Sequence, residues 1–180
     1  MPTLLIAVVF TLIASLAQAD TSRTSETKDM KTYGNCITFT ERDLFTDEEY
    51  YTVTCGEETL TDATAIGIRS QRDGLYVILS KGLQFHLEDQ VPVIIRVDKG
   101  PVIRRSADWD RQNPRRAFIQ DDHLARRLLD NLANGQRAIL KVGDEGGNIQ
   151  LDGSQRAVAD FRHRASLQPQ QTLEIPARAC

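Results

Sequence analysis

The chain has 180 residues, a formal net charge of −3 and a hydrophobic fraction of 41%. That length and apolar content suffice for one self-sufficient core and exclude a disordered polyelectrolyte. The acidic balance, with no aromatics interleaved among the arginines, argues against a nucleic-acid binder.

The first segment, MPTLLIAVVFTLIASLAQAD, carries an uncharged apolar run from Leu4 to Leu16 that ends at the small residues Ala17 and Ala19 before Asp20. It has the form of a secretory signal peptide, and the run is shorter than the ~20 residues that span a bilayer. Residues 1–19 are therefore expected to be removed, leaving a mature chain with no transmembrane segment in the periplasm or secreted. The polar stretch 20–33 lacks an apolar period and is expected to be a flexible leader. Residues 34–166 then form a single β-rich domain, and 167–180, with two prolines, a C-terminal tail.

Cys36 in NCITFT and Cys55 in YYTVTC lie in two β-branched and aromatic runs on either side of a polar loop, which predicts a hairpin with the two sulfurs opposed. In an exported chain that pairing is expected to be a disulfide. The final residue, Cys180, is left over: free, joined to another chain, or displacing one of the other two. The region of Glu41, Asp43, Asp47, Glu48, Glu49, Glu57, Glu58 and Asp62 is strongly acidic, with Arg42 its only cation.

Short β-prone runs follow at 64–70 and 74–80 around the Asp73-Gly74 turn, then at 83–87, 91–98 and 102–105, and consecutive runs are expected to pair antiparallel. A helix is predicted next, capped by Asp121 or Asp122, with Leu124, Leu128, Leu129 and Leu132 as its apolar stripe and Gly135 as its stop. Residues 137–142 and 148–151 read as a hairpin over Gly146-Gly147. A second helix is capped by Ser154 or Asp152 and turns Ala157, Val158 and Phe161 inward. The fold class is α+β, mainly β: an antiparallel sheet or β-sandwich with two short C-terminal helices.

No catalytic template is met. His86, His123 and His163 occur singly, with no zinc spacing, and DGSQR departs from the G-x-S-x-G elbow. GDEGGN has neither the Lys-Ser/Thr ending of a P-loop nor alternating calcium ligands. No cofactor or metal is expected. Arg104, Arg105, Arg111, Arg115 and Arg116 crowd a strand end and loop around Trp109, whose ring is expected to plug the core or to stand out as a contact residue of the same surface. Guanidinium groups on a loop suit carboxylates and phosphates, so these residues are the candidate binding surface. The competing reading is a solvated surface of mixed charge.

The order PVIIRVDKGPV, WD, then AFIQDDHLARRLLDNLANGQRAILKVGDEGGNIQLDGSQRAVADF resembles the invasion-associated locus B family of bacterial envelope proteins, and more loosely the type VI secretion accessory proteins. The resemblance covers Val91 to Phe161. It departs from the family pattern at 108–117, where the family carries a Cys pair and this chain has none. It implies an exported, mostly β, non-enzymatic protein and transfers no catalytic residue. The expected function is thus a non-catalytic envelope binding or accessory protein whose partner is an anionic envelope component or another protein. The alternative is a small secreted enzyme or enzyme inhibitor with a site built from scattered residues, such as His86 with Asp108 or Asp110.

Overall fold

Alternation of apolar and polar side chains drives most of the chain into strands. In the computed structural model, which describes residues 25–57, 64–81, 90–109 and 116–166, the elements run β1 (Ser25–Tyr33), β2 (Cys36–Asp43), β3 (Glu49–Glu57), β4 (Thr64–Gln71), β5 (Gly74–Lys81), β6 (Gln90–Val97), β7 (Ile103–Trp109) and β8 (Arg116–Gln120), then α1 (Asp122–Asn134), β9 (Arg137–Val142), β10 (Glu145–Gln150) and α2 (Ser154–Arg164). The strands form one ten-stranded antiparallel sheet ordered β1-β2-β3-β4-β5-β8-β7-β6-β9-β10. The fold is α+β and mainly β. It is a single sheet, so the sandwich option is replaced by a sheet that wraps on itself: β9 and β10, near one end of the order, touch β3 and β4, near the other.

That wrap places the core. Along β6, Val91, Val93, Ile95 and Val97 are buried while Pro92, Ile94 and Arg96 turn outward. The inward set meets Val53, Ile66, Ile68, Val77 and Leu79 of β3–β5, Leu140 of β9 and Ile149 of β10. Each such side chain contributes roughly 1.5–3 kcal/mol by leaving water. Helices α1 and α2 pack on one another and, through the buried Leu124, Leu128, Leu129, Leu132 and Phe161, on the same core. Trp109 is half-buried and packs against it. Cys36 and Cys55 are direct register partners, joined as a buried disulfide.

Four local expectations are corrected. The expected leader is strand from Ser25 onward: β1 is an edge strand with almost every residue exposed, so it needs no apolar period and is held by its backbone pairing to β2. The β9–β10 turn falls at Gly143-Asp144, with Gly143 at φ 61°, and Gly146 and Gly147 are strand residues. Gly147 runs so close to β4 that an added Cβ would stand 3.0 Å from the Thr64 hydroxyl oxygen. Neither Ser154 nor Asp152 caps α2. Gly153 does so, in the left-handed region at φ 81°, and Ser154 is buried as the first helical residue. Finally, chain neighbours do not always pair: β5 pairs with β8 and β6 with β9.

Helix α1 starts as expected, with the Asp121 carboxylate accepting from Leu124 N at 2.9 Å. Asp122 accepts instead from Arg126 and from Leu75 N on β5, tying the helix start to the sheet. The Arg126 hydrogen bond, aided by Leu75 N–H and opposed by burial, holds the Asp122 carboxyl below its ordinary range.

Candidate anion-binding face

The strand register builds a cationic surface from residues that lie far apart in the chain. Ile94 of β6 stands between Arg104 of β7 and Lys141 of β9, so one row across the outer face reads Arg104–Ile94–Lys141. The next row reads Arg96–Ile139. Strand spacing puts the Arg104 and Lys141 Cα atoms roughly 10 Å apart and the rows about 7 Å apart. Arg137 starts β9, and Lys99 lies in the turn after β6. Arg104, Lys141, Arg137 and Lys99 are exposed, and Arg96, Ile94 and Ile139 are half-buried.

No carboxylate of the described residues lies within 4.0 Å of any of these five cations. Of the acidic side chains beside these strands, Asp144 is exposed in the β9–β10 turn and two others are engaged. Asp98 accepts from the backbone N–H groups of Gln136 and Arg137, and Asp108 accepts from Gln90 Nε2 at 3.1 Å. The opposite half of the sheet differs. From β1 to the β4–β5 turn, each described cation is paired: Lys28 with Glu26, Lys31 with Asp160, Arg42 with Asp47, Arg69 with Glu41 and Arg72 with Glu48. In the sheet order the acid-rich β2–β3 hairpin is separated from the cationic strands β7, β6 and β9 by β4, β5 and β8.

The arginines singled out by sequence do not form one cluster. Arg104 belongs to the cationic face. Arg105 points to the other side of β7, with Nε 3.8 Å from Asp121. Trp109 packs on the core. Arg116, at the start of β8, lies 3.9 Å from the half-buried Glu41, which Arg69 also engages. Since Asp108 pairs with Phe118, Arg104 and Arg116 sit at opposite ends of the β7–β8 hairpin, roughly 20 Å apart along it. Arg111 and Arg115 lie outside the described residues, as do His86, Asp110 and Cys180. Sequence reasoning missed Arg96, Lys99, Arg137 and Lys141. The signal was there for two of them: Arg96 and Lys141 occupy the outward parity of VPVIIRV and RAILKV, but the pairing of β6 with β9 is needed to bring them together.

A second polar cluster ties α2 to the first strands. Asp160 accepts from Thr38 Oγ1 at 2.7 Å, Lys31 Nζ at 3.0 Å and Arg164 Nε at 2.9 Å. Burial pushes its carboxyl up, but the hydrogen bonds from Thr38 and Lys31 and the charge of Arg164 outweigh that and leave it lowered. It borders a cleft of about 600 Å³ that also includes Tyr51, Glu49 and the exposed His163. With its oxygens saturated, Asp160 serves as an anchor in this arrangement. Among the described residues no group of three or more His, Cys, Asp or Glu side chains is placed to hold a metal ion, and no helix is long and apolar enough to cross a membrane.

No protein-family model matches the chain, and no curated protein matches it. Among solved structures it is similar to the crystal structure of invasion associated protein B from Bartonella henselae, at a TM-score of 0.52 over 77% of this chain and 98% of that one. The fold is shared. At 18% identity the likeness to invasion associated protein B extends to architecture alone.

Proposed function

We propose that the protein is exported and acts without catalysis, as an envelope binding or accessory protein that holds an anionic component on the outer face of β7–β6–β9. The observation that carries this reading is the concentration there of cations with no carboxylate partner among the described residues, Arg96, Lys99, Arg104, Arg137 and Lys141, whereas every described cation from β1 to the β4–β5 turn is paired. Charges that serve only solubility are usually interspersed by sign, whereas a one-sign patch attracts a ligand of the other sign. Membership of the invasion-associated locus B family is part of the proposal and is supported by the shared fold. Export is supported by the Met1–Ala19 segment and by the Cys36–Cys55 disulfide, a bond that persists in oxidising compartments.

Two measurements test the reading. Retention of the purified protein on a heparin matrix should weaken with salt and be largely lost in the Arg104→Glu/Lys141→Glu variant. Equal elution of the variant and the wild type would remove the site. The intact mass of exported protein should match a chain starting at Asp20, and a mass that includes Met1 would overturn the export half.

A further inference from the structure

We infer that the ligand of the cationic face is an anionic phospholipid bilayer, an inference that rests on the reading of that face as an anion site. Three observations favour a surface of charges over a soluble chain of them. The cations are spread in two dimensions over three adjacent strands and the turn beyond β6. A linear polymer satisfies one row at a time, whereas headgroups meet every row together.

The distribution of acidic groups is the second observation. Glu41, Asp43, Asp47, Glu48 and Glu49 all belong to the β2–β3 hairpin, separated from β7–β6–β9 by three strands of the sheet. Five carboxylates are thus gathered on that hairpin and five cations on β7–β6–β9 and its turn, an asymmetry that favours approach to an anionic surface with the β6 side leading. The third is Val102, 42% exposed in the β6–β7 turn between Lys99 and Arg104. An apolar side chain at the rim of a basic patch gains by entering the headgroup layer, and it gains little from a hydrated polysaccharide. Basic residues near an anionic bilayer each strengthen partitioning by about fivefold, so five of them together give a measurable association.

The test pellets sucrose-loaded vesicles of phosphatidylglycerol and phosphatidylcholine with the purified protein at low salt. Vesicles of phosphatidylcholine alone and soluble heparin serve as comparators. The expected result is co-sedimentation with the anionic vesicles only, weakened about fivefold by Arg104→Gln or Lys141→Gln and abolished by the pair at moderate salt. Val102→Ser should weaken vesicle binding and leave heparin binding unchanged. Arg127→Gln, on the exposed side of α1, should alter neither. Thermal melts of each variant confirm that it is folded. Heparin binding without vesicle binding overturns the bilayer and leaves the anion-binding face standing, and failure to bind either overturns both. Vesicle binding that the Arg104 and Lys141 variants leave untouched overturns the placement of the site.

Discussion

Replacing Cys36 and Cys55 together by Ala removes a cross-link between residues 19 apart, with both side chains no more than 1% exposed. In the loop-entropy description, releasing a ring of about that length gives the unfolded chain back roughly 3 kcal/mol of conformational freedom. Losing two buried sulfurs adds a cavity term, so the total loss is about 3–5 kcal/mol. For a domain of this size that corresponds to a fall in Tm of roughly 10 °C. Urea unfolding is the better assay, because the mechanism also raises the slope: an unfolded state without the cross-link exposes more surface. Either single variant should be nearly as destabilised as the double, because there is one bond to lose. Two outcomes refute the reasoning: a loss below about 1 kcal/mol, or single losses that add to give the double.

Asp160→Asn should cost about 1–3 kcal/mol, because Thr38, Lys31 and Arg164 lose a charged acceptor. The Asp160 carboxyl is lowered in the folded state, so its contribution is complete above the unfolded value near ~4 and fades as the pH falls through the folded one. The stabilities of the wild type and Asp160→Asn, compared by urea unfolding, should therefore converge in acid. Gly153→Ala should cost roughly 2–4 kcal/mol by thermal denaturation, since φ 81° strains any Cβ and the new methyl would collide with the Tyr33 carbonyl.

Legibility in the sequence followed the periodicity of each segment. β6 announces itself because VPVIIRV buries every second residue, and α1 because Leu124, Leu128, Leu129 and Leu132 recur on one face behind the Asp121 cap. The Cys36–Cys55 bond was readable because one short hairpin fixes both positions. β1 was not readable: an edge strand packs too little to require apolar residues, and its polarity imitates a leader. The Gly146-Gly147 turn misled because two glycines signal a bend as readily as they signal a close approach, and the approaching Thr64 lies more than eighty residues earlier in the chain. The cationic face stayed hidden for the same reason. Arg104 and Lys141 become neighbours only through β6, and no local pattern encodes which strand β6 takes as its second partner.

The contact of β9 and β10 with β3 and β4 has a kinetic consequence. The meander from β2 to β5 can form early from nearby residues, with its disulfide closing inside it. Until β9 and β10 arrive, however, the inner face with Val53, Ile66 and Ile68 lacks the cover that those two strands provide. Closure must therefore wait for the far end of the chain, and it joins segments with a large sequence separation. That places the protein among slow β-rich folders, on the millisecond-to-second scale, with an adhesive half-sheet exposed in the interval.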